Sequence, residues 1–198
     1  GGVACTTTSV STTQAICTVG AVGALGPAKV SVSVPGKGNA GNTLSFHVIS
    51  QISSTSPATG STLGGTTMTL TGQGFTQGAL TVHAGAHVCA VTSSSATQIT
   101  CELPLFSPPA TADLALPISV RVGGAAAQCT LSGGCAISPT DASTPSITAR
   151  SPATITVGNT LTLSGTSLPT GVSGFPKVMI GASECSSPSA SSSSVTCT

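Results

Sequence analysis

Between Ser56 and Val122, apolar positions alternate with hydroxyl-bearing ones in short runs. Met68 and Leu70 alternate with Thr67, Thr69 and Thr71, the period-two pattern of a half-buried strand. Gly72-Gln73-Gly74 is expected to break that strand, and Leu80-Thr81-Val82 starts another. Ile118, Val120 and Val122 alternate through a last one, while Cys89 and Cys101 bracket a polar segment between them. No stretch holds a helical period. Many short strands with Gly-rich turns predict an all-β chain built as a small sandwich.

The same signals recur, incompletely, towards both ends. Around Cys5 and Cys17 the chain reads GGVACTTTSVSTTQAIC and then AKVSVSVPGKG. Val3 before the first cysteine, Thr13-Gln14 before the second, and Val30, Val32 and Val34 further on match the second half of the central pattern. Leu44 to Ile52, where Phe46 and Val48 alternate with Ser45 and His47, reads as the strand leading into the centre. After Gly124, Cys129 and Cys135 close a small loop in what reads as a linker. From Thr144 the pattern reopens as TPSITARSP, with Leu161 and Leu163 in a second strand and Gly165 as its break. Val178 and Ile180 give a third strand, and Cys185 and Cys197 follow without a counterpart of the last one. The expected organisation is half a module over 1–38 with a candidate joining strand at 28–34, a complete module over 44–124, a linker over 125–143, and a module lacking its last strand over 144–198.

An ordered set of residues in the central stretch carries a resemblance. Ser56, Pro57, Gly60, Gly64, Gly65, Thr67, Leu70, Gly72, Gly74, Phe75, Val82, Gly85, Cys89, Gln98, Ile99, Cys101, Pro104, Val120 and Val122 resemble the IPT/TIG domain. That domain is the immunoglobulin-like module of plexins, fibrocystin-like ectodomains and Rel-type transcription factors. The resemblance implies tandem immunoglobulin-like sandwiches, one complete and two partial, of the fibrocystin-like or algal extracellular type.

Composition changes the picture in two ways. Charged residues are 5% of the chain and aromatics 2%, with no Trp or Tyr; that charge content is about a fifth of the globular norm. The core must therefore come from Val, Leu, Ile and Ala, helped by Phe46, Phe75, Phe106 and Phe175. Each large aliphatic side chain contributes about 1.5–3 kcal/mol when fully buried, so modules this small call for covalent staples. Eight cysteines are present, three pairs of them (Cys5 and Cys17, Cys89 and Cys101, Cys185 and Cys197) twelve positions apart, with Cys129 and Cys135 six apart. Local even pairs read as four disulfides formed in an oxidising compartment, hence a secreted or extracellular protein.

The five Lys and Arg are scattered at Lys29, Lys37, Arg121, Arg150 and Lys177. Without a basic stripe there is nothing to displace counterions, so nucleic acid is not an expected partner and the transcription-factor branch is set aside. The most apolar run, Ala15 to Val34, is interrupted by Gly, Pro27 and Lys29, which predicts no membrane insertion. The opening Gly-Gly-Val-Ala-Cys has no signal peptide, and a mature or excised piece of a secreted product is expected.

Catalytic chemistry finds little to work with. Glu102, Asp113, Asp141 and Glu184 are the only carboxylates, none paired by local spacing. No G-x-S-x-G elbow occurs, and Gly72-Gln73-Gly74 does not complete a dinucleotide loop. His83 and His87 would sit about 13 Å apart on one continuous strand; across a turn at Gly85 they could approach and share a metal, but surface histidines are the plainer reading. No C-x2-C spacing occurs. The expectation is a non-enzyme without metal or cofactor.

Hydroxyls are abundant, Ser and Thr making up roughly a third of the chain. None of Asn39, Asn42 or Asn159 has Ser or Thr two positions on, so no N-glycosylation sequon exists. Runs of hydroxyls with nearby Pro have the composition of O-glycosylated surfaces. The candidates are Thr6, Thr7, Thr8, Ser93, Ser94, Ser95, Thr140, Ser191 and Ser192. Pro108-Pro109 could carry sugar in an algal or plant-like host, as the resemblance to algal cell-surface proteins suggests.

One module without its last strand, and a segment able to supply one, suggest strand exchange between copies. Such a head-to-tail contact propagates unless it closes into a ring. The main expectation is a structural subunit of an extracellular filament or rod, its partners other copies of itself in a helical homopolymer with attached glycans. Val30, Val32 and Val34 would be the joining strand. An excised piece of a longer array and a self-closed monomer are the other readings of the ends. The alternative function is an adhesive or ligand-binding ectodomain fragment of a cell-surface receptor.

Overall fold

A computed structural model of the 198-residue chain describes residues 4–20, 24–41, 44–106, 109–168, 177–185 and 189–198. In chain order, β1 (Cys5–Val10) and β2 (Ala15–Val19) form a hairpin. Next come β3 (Gly26–Val30), β4 (Ser33–Val34), β5 (Gly38–Asn39) and β6 (Leu44–Val48) as two nested pairs, β3 with β6 around β4 with β5. β7 (Gln51–Ser56), β8 (Thr59–Ser61), β9 (Thr67–Gln73), β10 (Leu80–Ala84), β11 (His87–Ser94), β12 (Gln98–Glu102) and β13 (Leu116–Val122) follow. Then come β14 (Ala125–Ala126), β15 (Gln128–Cys129), β16 (Ala136–Thr140) and a 3-10 turn at Asp141–Ser143. The remaining strands are β17 (Ser146–Ser151), β18 (Leu161–Thr166), β19 (Met179–Ile180), β20 (Ser183–Glu184), β21 (Ser189–Ala190) and β22 (Ser194–Cys197).

The chain divides into two compact units, the first made of Gly1–Ala58, Thr66–Pro104 and Leu116–Ile137. Its main sheet runs in the order β15-β7-β9-β12-β11-β10-β13. β11 serves two neighbours, its first residues pairing with β10 and those from Ala90 on with β12. The alternation read from the sequence is the burial pattern. Met68 and Leu70 lie opposite Cys101 and Ile99, and Val82 opposite Val120, all essentially without solvent contact. Phe75, Leu103 and Val122 complete this core.

β9 ends within the expected Gly72-Gln73-Gly74 break, running through Gly72 to Gln73, before Gly74 at φ +80°. Gly72 answers a bulge in the strand beside it. The register of β7 against β9 slips between Ile52 and Ser54, and Gly72 faces Ile52 across the slip. A bulge pushes backbone towards its neighbour and leaves no room for a side chain. A Cβ at Gly72 would overlap the Gln51 carbonyl oxygen and lie 2.6 Å from Cζ of Phe75.

Residues 125–137, read from the sequence as part of a linker, are built into this unit. β14 pairs with β13, β15 runs parallel to β7, and Ala136 and Ile137 pair with Pro117 and Leu116. Thr130 donates both its backbone N–H and its hydroxyl to the carbonyl of Ile52.

The second unit is made of Thr59–Gly65, Leu105–Ala115 and Ser138–Thr198. Its four-stranded sheet runs β17-β18-β22-β21, with β19 and β20 as a separate hairpin. It repeats the devices of the first unit. β17 slips against β18 between Ile147 and Ala149, and Gly165 faces Ile147 across the bulge. There a Cβ would overlap the Ser146 carbonyl oxygen. Gly165 also corrects the expected break, since β18 continues through it to Thr166. The cis peptide bond Ser56-Pro57 has its counterpart at Ser151-Pro152. In this unit β8 also runs parallel to residues 138–140, and Thr144 accepts from the buried backbone N–H of Thr62.

Candidate functional site

Among the described residues, a hairpin clasped by a disulfide occurs three times. Cys5–Cys17, Cys89–Cys101 and Cys185–Cys197 are bonded, with Cα atoms 5.6, 5.5 and 5.8 Å apart. The tips are built alike. Six residues after the first cysteine stands a serine (Ser11, Ser95 or Ser191) whose N–H donates to the carbonyl three residues on. The serine hydroxyl then accepts from the N–H of that same residue, Gln14, Gln98 or Ser194. In the first two hairpins the register slips three residues after the first cysteine. Thr8 and Thr92 occupy those slips and donate to the carbonyls of Ile16 and Thr100.

Replacing Ser95 by alanine removes the hydroxyl from this exposed tip. The expected loss is about 0.5–1.5 kcal/mol, the net worth of a hydrogen bond. Faster amide exchange at Gln98, read by mass spectrometry or NMR, checks it.

Around the clasps the three copies differ. On β12 Ile99 and Cys101 are buried, as is Leu103 just after it, and β9 lies along the far edge. On β22, Val195 and Cys197 are buried, and β18 lies along the same edge. On β2 the matching residues Ala15, Cys17 and Val19 are exposed, Val19 to 50%. Among the described residues β1 and β2 form a sheet of two strands only.

The fourth disulfide, Cys129–Cys135, closes the small loop beside β15. Val30 ends β3 opposite Leu44, and Val34 lies in β4 opposite Gly38, so the segment expected to join copies is folded back on its own chain. Val30, Val32 and Val34 are 37, 46 and 43% exposed. Of the candidate glycan acceptors, Thr8, Ser95 and Ser191 are engaged in the hairpins, and Thr140 caps the 3-10 turn through Ser143. Thr6, Thr7, Ser93, Ser94 and Ser192 present exposed hydroxyls. Val3, Asn42, Pro108 and Phe175 lie outside the described residues.

His83 and His87 do not converge. Gly85, at φ +59°, turns the chain so that His83 faces Val88 and His87 faces Ala84, on opposite faces of the hairpin. Glu184 meets Lys177 at 3.5 Å on the surface. No group of three or more potential metal ligands occurs among the described residues, and no helix there is long and apolar enough to cross a membrane.

The serine clasp is what reading the sequence missed. Its signal is present, since CTTTSVSTTQAIC, CAVTSSSATQITC and CSSPSASSSSVTC align without a gap and share serine at the seventh position.

Comparison with known proteins bears on this repeat. A family model, the IPT/TIG domain, matches residues 50–135 and 145–198. No curated protein matches. Among solved structures, a plexin A4 full extracellular region aligns over 92% of this chain with 17% identity and a TM-score of 0.50. A second plexin A4 extracellular structure aligns over 75% with 21% identity and a TM-score of 0.45. The chain spans 16% and 15% of those two proteins.

Proposed function

We propose, from the premise that this chain belongs to the IPT/TIG domain family, that it is an adhesive or ligand-binding segment of an extracellular ectodomain. The observation that carries this reading is the tandem match at 50–135 and 145–198 on a fold like that of a plexin extracellular region. Tandem sandwiches offer surfaces to a macromolecule rather than a cavity to a substrate. Four disulfides suit an oxidising, extracellular setting.

The test is made on the chain secreted with its disulfides intact. Beads displaying it at high density are expected to bind intact cells saturably, with binding competed by the soluble chain. Beads carrying the reduced and alkylated chain should not bind. In sedimentation the soluble chain is expected to run as one species across about a hundredfold range of concentration, where mass action would reveal assembly. Growth into long polymers would overturn this reading in favour of a filament subunit; bead binding indifferent to reduction and competition would overturn it as non-specific adsorption.

A further inference from the structure

We infer that the Cys129–Cys135 disulfide is a redox latch, opened by a dithiol to uncover two sheet edges of the first unit. One strap, residues 125–137, covers both edges. β15 lies on β7, while β14 together with Ala136 and Ile137 of β16 lies on β13. Cys129 sits in β15 opposite Ile52 of β7. Cys135 immediately precedes β16, and its carbonyl accepts from the N–H of Ile118 in β13. The bond therefore ties the strand that covers β7 to the strand that covers β13. Among the described residues no backbone hydrogen bond pairs β15 with β16.

Cys5–Cys17 and Cys89–Cys101 are placed differently. Cys17 lies opposite Thr7 and Cys101 opposite Val91, on strands already paired with one another, so breaking either bond leaves a ladder standing. Breaking Cys129–Cys135 leaves β15 on β7 through a two-residue pairing, with Thr130 bonded to the Ile52 carbonyl beside it. So short a ladder opens at small cost. Opening frees the Ser50 and Ile52 carbonyls on β7, and the Val120 carbonyl and Ile118 N–H on β13. Unpaired edge groups of this kind are open to another strand. The chemistry is thiol–disulfide exchange. A thiolate of the dithiol attacks the sulfur of half-buried Cys129, and the Cys135 sulfur leaves as a thiolate. The second thiol then displaces Cys129 from the mixed disulfide. Two electrons pass to the latch, the dithiol becomes a disulfide, and its protons end on the two cysteines. Cys89 and Cys101, at 1 and 0% exposure, are out of reach of the same reagent.

The test reads amide exchange of the full chain at Ile118, Ala127, Gln128 and Thr130, whose N–H groups hold the strap. In a Cys129→Ala, Cys135→Ala variant these amides are expected to exchange roughly 40-fold faster, the loop-closure entropy of a six-residue span. Amides of β9 and β12 should keep their protection, which also shows that the variant folds. A Cys5→Ala, Cys17→Ala variant is the control and should leave the strap amides unchanged. The unmodified chain is then titrated with dithiothreitol and trapped with iodoacetamide. Cys129 and Cys135 are expected to be alkylated while Cys89 and Cys101 stay bonded, and reoxidation should restore slow exchange.

Unchanged exchange at the strap in the double variant would overturn the inference. Equal acceleration in β9 and β12 would overturn it too, because the bond would then hold the whole sandwich rather than a latch. Loss of Cys89–Cys101 before or together with Cys129–Cys135 would do the same. The readout is confined to the strap and its neighbours, so it stands or falls separately from cell binding.

Discussion

Replacing Gly72 by valine is expected to unfold the first unit. The glycine faces the bulge at Ile52 and Ser54, and a Cβ there would overlap the Gln51 carbonyl oxygen and press on the Phe75 ring. Neither neighbour can retreat, because Gln51 is held in β7 and Phe75 is buried to 2% exposure. Overpacking with no way to relax costs about 3 kcal/mol or more, a large part of the stability of a domain this size. Gly124→Ala is the control. It meets no atom within 4 Å but sits at φ +85°, so only the left-handed backbone cost of about 1 kcal/mol is expected. Urea titration followed by circular dichroism suits a chain without Trp or Tyr. Equal losses for the two variants would contradict the close contact. Gly165→Val should do to the second unit what Gly72→Val does to the first.

Removing the disulfide Cys89–Cys101 as a double alanine variant is expected to be the second large effect. Its loop gives about 3 kcal/mol through the unfolded chain's lost entropy, which for a module of this size shifts the thermal midpoint by roughly 12–24 °C. Both sulfur-bearing side chains are also buried, at 1 and 0% exposure, so a cavity adds to the loss. Cys5→Ala with Cys17→Ala opens a loop of the same length. In a hairpin whose Ala15, Cys17 and Val19 are exposed, that change should leave the main melting transition within about 1 kcal/mol of its original position. Calorimetry on both variants separates the cases. A matching fall in the second would mean that β1–β2 melts together with the sandwich.

Where one face of a strand is buried, the sequence could be read directly. Met68, Leu70, Val82, Ile118, Val120 and Val122 alternate because their neighbours face out, and the cysteine spacings match the observed pairs. What stayed hidden depends on partners distant in sequence. Gly72 looks like a break because glycine weakens a strand; its reason is a bulge in a different strand. Ala125, Ala126 and Gln128 have no alternation, so the edge strands they form were invisible. Ser11, Ser95 and Ser191 were masked by the abundance of serine around them. The pairing of Val30 with Leu44 follows from nested turns that local pattern does not specify.

Each of the four cystines closes over a short stretch, twelve residues in three cases and six in the fourth. Eight cysteines admit 105 pairings in principle. Here every correct partner is the next cysteine along the chain. A loop of about ten residues closes within about 10–100 ns, so each thiol meets its mate long before the next cysteine leaves the ribosome. Oxidation can follow the order of synthesis, hairpin by hairpin, without a reshuffling stage. An added or deleted module would leave the pairing of all the others unchanged.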